Sequence, residues 1–235
     1  MLSNAEIKRI KSLKDKKFRD LYGQFVVEGE KMVQEALDSQ FHVAEVYRAS
    51  EIGSEAMARI SQMSSPSPVL AVVDKPEPHA LAVGRGLCLG LDSVRDPGNM
   101  GTILRLADWF GISVVFASMD SVELFNPKVV QASMGSVFRV RTVYCNLPDI
   151  CRRFRLMDMP VYGTFLDGDD IYSTVLAGEG LIVMGNEANG ISGEVASECT
   201  SRLCIPTFAS GRTAESLNVA AACAITVSEF RRRQR

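Results

Sequence analysis

The sequence predicts an α/β protein of two domains, the larger built on a mainly parallel sheet. Three observations carry this expectation. In the carboxy-terminal two thirds, short apolar runs alternate with helical stretches at strand–helix–strand spacing, which implies parallel strands covered on both faces. The run Lys75-Pro76-Glu77-Pro78-His79 has the composition of a linker, because proline resists both a helix interior and a central strand. The length of 235 residues, 46% hydrophobic and 23% charged, fits one large domain or a small one joined to a medium one, and the linker selects the second. The domains are therefore expected at 1–76 and 77–235.

The elements follow in chain order. Ser3 and Glu6 make a capping box, and Ile7, Ile10 and Leu13 form one stripe, so the chain opens on a helix. Strands are expected at Phe25–Val27, Val43–Tyr47 and Val69–Val73, with helices at Lys31–Leu37 and Glu55–Met63. Past the linker, strands are expected at Leu87–Leu91, Val114–Ala117, Val140–Tyr144, Val161–Phe165, Leu181–Met184 and Leu203–Ile205. Helices near 101–110, 127–134, 147–157, 194–199 and 215–232 alternate with them.

Charge is unevenly placed. The net charge is −2, yet residues 1–20 hold seven Lys and Arg against three acids, and residues 229–235 hold four Arg against Glu229. Basic ends on an acidic body suit a polyanion gripped at particular places, although solvated helix faces account for such charge equally well. The first residues are charged where a signal peptide needs an apolar core, and no apolar run is long enough to span a membrane. A cytoplasmic protein is expected. Six scattered cysteines without a Cys-x-x-Cys pair, and two histidines, argue against metal and for thiols as small core residues.

In parallel sheets the ligand lies beyond the carboxyl ends of the strands. Three polar, glycine-containing segments leave strands there: 96–101, 185–190 and 209–218. Each has a plain alternative. Asp96-Pro97-Gly98-Asn99 and Asn189-Gly190 are good turns, and Thr213 or Ser216 could simply cap the last helix. Other chemistry fits poorly. Gly178-Glu179-Gly180 precedes a strand, whereas a dinucleotide fingerprint follows one, and there is neither a Walker lysine motif nor a Gly-x-Ser-x-Gly elbow. Each loop nevertheless carries a polar group beyond what turning requires: Arg105 between Leu104 and Leu106, Glu187 just past an apolar strand, and Asn218 entering an apolar helix.

Three segments then settle a resemblance. Asp96-Pro97-Gly98-Asn99-Met100-Gly101-Thr102-Ile103-Leu104-Arg105, Met184-Gly185-Asn186-Glu187-Ala188-Asn189-Gly190-Ile191, and Ile205-Pro206 followed by Glu215-Ser216-Leu217-Asn218-Val219-Ala220 resemble, in order, the motifs of the SpoU/TrmH RNA 2′-O-ribose methyltransferases of the SPOUT class. The link Thr207–Glu215, with Phe208 and Arg212, is longer than many members have. Phe25-Val26-Val27-Glu28-Gly29-Glu30-Lys31 looks like the family's small, ribosomal-protein-like RNA-binding domain.

The resemblance implies a trefoil-knotted sheet, S-adenosylmethionine (SAM) as cofactor, a homodimer, and rRNA or tRNA as substrate. It implies that Gly185, Ile205 and Leu217 contact SAM and that Asn99, Arg105, Glu187, Ser216 and Asn218 surround the reacting ribose. Arginine stays charged, so Arg105 is expected to clamp phosphate or stabilise an alkoxide, not to act as a base. Lysines and arginines of residues 8–19 and Arg231–Arg233 could track RNA phosphates. The competing expectation is an RNA-binding or ribosome-assembly protein that kept the fold and lost catalysis.

Overall fold

The computed structural model describes residues 2–77, 83–211 and 214–234. The chain divides into two compact units, Met1–Pro78 with Glu123–Arg139, and His79–Val122 with Val140–Arg235.

The first unit starts with α1 (Asn4–Ser12), where the capping box forms as the sequence predicts: Glu6 N donates to Ser3 Oγ and Ser3 N to the Glu6 carboxylate. Then come α2 (Lys16–Tyr22), β1 (Gln24–Glu28), α3 (Glu30–Leu37), β2 (Val43–Arg48), α4 (Ala49–Ile52), α5 (Ser54–Ile60) and β3 (Val69–Asp74). The sheet has the order β1-β3-β2 and is antiparallel. Its strands alternate, so Val26, Leu70 and Val72 meet Ile7, Ile10, Leu13, Met57 and Ile60 in one core.

The sequence gives residues 123–139 to the second domain; in the structure they pack in the first unit. Aromatic burial explains the difference. Phe125 lies 4.5 Å from Phe25, and Phe138 lies 5.2 Å from Phe41, ring centre to ring centre. A buried ion pair adds to it. Arg19, 2% exposed, donates to Glu123 Oε2 from Nε (3.1 Å) and Nη2 (2.6 Å), and to the carbonyls of Leu13 and Lys14. Lys75 Nζ stands 3.7 Å from the other carboxylate oxygen. Removing one partner of a buried pair leaves the other charge uncompensated, so Glu123→Ala should cost about 3 kcal/mol. A thermal melt should show the unit's transition falling by several degrees; an unchanged melt would mean that the two carbonyls alone satisfy Arg19.

The second unit runs β4 (Leu87–Leu91), α6 (Pro97–Trp109), β5 (Val114–Ser118), then, past the helix Pro127–Ser133 (α7) of the first unit, β6 (Arg141–Cys145), α8 (Leu147–Leu156), β7 (Val161–Asp170), β8 (Gly180–Met184), α9 (Gly193–Ala196), β9 (Ser201–Cys204) and α10 (Val219–Arg232). Its sheet has the order β6-β5-β4-β8-β7-β9 with parallel pairings. From β4 the chain steps outward through β5 to β6, then crosses to build β7 and β8 on the other side. The strand order thus reverses between β4 and β8, where open α/β sheets form their ligand crevice.

The last helix begins at Val219, later than the sequence suggests, because Asn218 is its cap. Two of its arginines are tied inward to the chain's own backbone, while Arg232 stays exposed. Arg231 donates to the carbonyls of Phe110 and Gly111, and Arg233 to those of Ile171, Tyr172 and Thr174. Arg232, and after it Arg233, bond Glu229 and hold its carboxyl down to about 2. Arg231 and Arg233 are therefore structural, and of the three only Arg232 presents its guanidinium to solvent.

Cys88, Cys145, Cys151 and Cys223 are buried as core residues, whereas Cys199 and Cys204 are half-buried. Burial pushes the thiols of Cys88, Cys145 and Cys199 up to about 11, and those of Cys151 and Cys223 to about 12. Among the described residues no helix is long and apolar enough to cross a membrane, and no three His, Cys, Asp or Glu cluster as metal ligands.

Candidate active site

Three local structures at the carboxyl ends of β4, β8 and β9 bring the motif residues forward. Past β4, Asp96 is the N-cap of α6: its Oδ1 accepts from Asn99 N at 2.8 Å, with Pro97 pre-set for the first turn. The sequence's possible free turn at 96–99 is therefore the start of a helix, with Asn99 in its first turn.

Past β8, Gly185 is buried, and a Cβ there would lie 2.4 Å from Gly190 C and 2.5 Å from Ile191 N. Only glycine lets the loop double back on itself. Asn186 and Gly190 close it with paired backbone bonds of 2.8 and 2.9 Å, leaving Glu187 exposed near its tip.

Past β9, the chain reaches Asn218, whose Oδ1 accepts from Ala220 N (2.9 Å) and Ala221 N (3.2 Å). Asn218 therefore takes the capping role expected of Thr213 or Ser216; Ser216 makes no cap, and Thr213, with Arg212, lies outside the described residues.

These caps fix a hydrogen-bonded line. Because the Asn218 oxygen faces the helix amides, its Nδ2 is free to donate to Asn99 Oδ1 at 2.9 Å. The Asn99 amide is then oriented as well, and its Nδ2 donates to Glu187 Oε1 at 2.7 Å. The three motifs meet in one chain of dipoles ending on a carboxylate, each bond strengthened by the next.

Arg105 and Ser216 stand outside this line. Both are exposed and make no hydrogen bond or ion pair among the described residues. Six residues along α6 turn Arg105 roughly 120° from Asn99 about the helix axis, so its guanidinium is unspent. Of the residues assigned to the cofactor, Gly185 is buried, Ile205 half-buried and Leu217 51% exposed.

Two residues that sequence reasoning passed over organise the crevice. Asn186 accepts from the amides of Ala188 and Asn189 and donates from Nδ2 to Ser93 O at 2.7 Å. Ser93, at φ +59°, holds the left-handed conformation that non-glycine residues avoid. Its Oγ donates to Asp120 Oδ2 at 2.6 Å, and its N to Ser118 Oγ at 2.8 Å. Serine before a turn carries no periodic signal, whereas Asn186 was visible inside its motif. Asn186→Ala removes an acceptor from two amides and frees Ser93; at about 1 kcal/mol per bond, methyl transfer should fall about tenfold or more. A kinetic assay beside a thermal melt checks this, and full activity would assign Asn186 to the turn alone.

Comparison with known proteins decides the family. The profile of the SpoU rRNA Methylase family matches residues 86–228, and that of the MRM3-like substrate binding domain matches residues 4–75. The chain belongs to the SpoU rRNA Methylase family. It is 32% identical to the 23S rRNA (guanosine(2553)-2′-O)-methyltransferase RlmP of Bacillus subtilis, over 97% of this chain and 96% of that one. A TrmH-family protein from Porphyromonas gingivalis superposes with a TM-score of 0.89 at 43% identity, covering 99% of each chain. The AdoMet-bound rRNA methyltransferase from Sinorhizobium meliloti superposes with a TM-score of 0.83 at 32% identity, over 99% of this chain and 96% of that one. This SpoU-family chain is thus a SAM-dependent RNA ribose methyltransferase, as the motif resemblance implies.

Proposed function

We propose that this enzyme methylates a ribose 2′-hydroxyl of large-subunit ribosomal RNA in the crevice where Asn218, Asn99 and Glu187 are aligned. The line of hydrogen bonds carries the reading, because it joins residues from three loops 119 positions apart in the chain at their extremes. The named activity of the Bacillus subtilis relative supports ribosomal RNA over transfer RNA.

SAM fits the residues present. Its adenine needs apolar walls with main-chain hydrogen bonding, and Leu166, Phe208 and Leu217 expose 75%, 87% and 51% of their surface in and beyond β7 and β9. Gly185, Ile205 and Leu217 would hold it. When bound, it supplies a methyl group on a positively charged sulfur, a leaving group that needs no acid.

The protein's own work is orientation and charge. Glu187 accepts the hydrogen bond of the 2′-hydroxyl, and Asn99 and Asn218 keep that carboxylate in place. Arg105 pairs with the adjoining phosphate or the developing alkoxide. Ser216 adds a hydroxyl beside Asn218. A second copy of the chain would cover the 84% exposed Trp109 at the end of α6, which supports a homodimer. The cytoplasm, where ribosomal RNA is made and matured in cells without a nucleus, is the compartment this reading assigns.

Labelled SAM, unmodified total RNA and the purified protein test the reading. Label should enter the large-subunit fraction as an alkali-resistant linkage and vanish with Arg105→Ala. Label confined to transfer RNA would move the substrate. SAM binding without label in free RNA or ribosomal precursors would favour the non-catalytic assembly protein.

A further inference from the structure

The sequence offers seven cations between residues 8 and 19 as possible phosphate ligands, and the structure divides them. Arg9 is committed to Gln24 and Glu45, Lys16 to Asp20, and Arg19 to Glu123 in a buried pair. Lys8, Lys11, Lys14 and Lys17 are all exposed and make no ion pair among the described residues. They recur every third residue along α1, the turn and α2. Of the acids on this stretch, Glu6 is held in the capping box, and Asp20 by Lys16 and Lys75. Glu6 keeps its charge in the capping box, so Glu6 and Asp15 are the two carboxylates left against the four lysines.

An aromatic face lies beside Lys17, at the end of this run of lysines. Phe18 and Tyr22, one helical turn apart, stack with their planes at 18° and centres 6.4 Å apart. Lys17 Nζ stands 5.9 Å from the Phe18 ring centre. Tyr22 is 44% exposed and Leu21 67%. Lysines at regular intervals next to an open aromatic face match a strand of phosphates with unpaired bases. A duplex would offer the charge but keep its base faces stacked away. An acidic protein would use the lysines and leave the rings without a flat partner.

We propose that the α1–α2 surface binds a single-stranded segment of the substrate RNA, with Lys8, Lys11, Lys14 and Lys17 on phosphates and an unpaired base against Tyr22 and Phe18. This rests on the reading of the chain as an RNA methyltransferase, and it assigns to two helices ahead of the sheet a task that nothing in the crevice supplies.

The test uses the full chain and two probes, a single-stranded oligoribonucleotide and a duplex of the same sequence, in binding titrations over a range of salt. The variant with all four lysines changed to glutamine should bind the single strand at least tenfold more weakly, with a salt slope smaller by about 0.7 per lysine. Its SAM affinity, melting temperature and rate at saturating RNA should stay unchanged, so that KM alone rises. Tyr22→Ala should weaken the single strand about tenfold and the duplex little, with Tyr22→Phe restoring it.

Wild-type affinity in the lysine variant would overturn the proposal, as would equal loss on both probes with Tyr22→Ala. Failure of the protein to bind either RNA would overturn it too, including the case where the surface instead captures an acidic protein. Because the binding titrations themselves need no turnover, a protein that binds as expected yet transfers no methyl group would sink the functional reading and keep the RNA surface.

Discussion

Arg105→Ala should bind SAM and melt as the parent does, yet transfer methyl groups about a hundredfold to a thousandfold more slowly, the range seen when one preorganised donor to a developing oxyanion is removed. The structure explains why the loss falls on chemistry alone. Arg105 is exposed on α6 and makes no hydrogen bond or ion pair among the described residues, so its removal breaks nothing in the fold. The helix beneath it stays anchored by the Asp96 cap and by buried Met100, Ile103, Leu104 and Ala107. Single-turnover transfer at saturating SAM, with calorimetric SAM binding alongside, reads the two effects separately. Arg105→Lys keeps the charge and loses the planar fork, so it should still cost about tenfold or more. Near-normal turnover of the lysine variant would mean that Arg105 acts as a point charge, and the clamp would be wrong.

The second large effect is expected at Gly185. A methyl group there meets backbone on every near side: Gly190 C at 2.4 Å, Ile191 N at 2.5 Å and Gly190 O at 2.7 Å. No rotamer change relieves such a clash, so the doubled-back loop must open. The Asn186–Gly190 bridge would part and Glu187 would leave Asn99. SAM affinity should fall about a hundredfold, comparable to the loss of two or three hydrogen bonds at about 1 kcal/mol each. Gly190→Ala is the control. Gly190 has φ +67° and no neighbour within 4 Å of an added Cβ, so it should show only the strain of a left-handed residue, about 1 kcal/mol. If Gly185→Ala bound SAM normally while Gly190→Ala did not, the loop would be sensitive to backbone conformation and not to the clash.

What the sequence revealed follows from where periodicity had something to report. Leu87–Leu91, apolar and buried throughout, was read to the residue. The capping box was equally plain, since both partners lie within four positions. α2 was missed because its buried side is Arg19, which gives no apolar stripe. The second half of β7 was missed because Asp167-Gly168-Asp169-Asp170 reads as a turn. Gly168 serves there by letting the strand lie against the backbone of Arg202 and Leu203, 2.7 Å from a Cβ position.

The motifs single out Asn99, Glu187 and Asn218, which the structure brings together, yet they do not show the double role of Asn218. Its Oδ1 belongs to a helix cap while its Nδ2 belongs to the site, a division that only the direction of α10 reveals. The terminal arginines misled for the opposite reason. A charge run looks the same whether it meets phosphate or the chain's own carbonyls, and here the carbonyls of residues 110, 111, 171, 172 and 174 receive Arg231 and Arg233.

The burial of residues 123–139 within the first unit bears on how this protein can be taken apart. The prolines near residue 77 look like the natural place to cut, but a fragment ending there would forfeit Phe125, Phe138 and Glu123. It would display a raw aromatic face and a guanidinium with no counter-charge. The remainder of the chain would carry that same segment stripped of its packing. Neither half is a free-standing part. Grafting this amino-terminal unit onto another methyltransferase would succeed only if the recipient received the segment between β5 and β6 as well, so the interchangeable piece is discontinuous in the gene although it is one body in space.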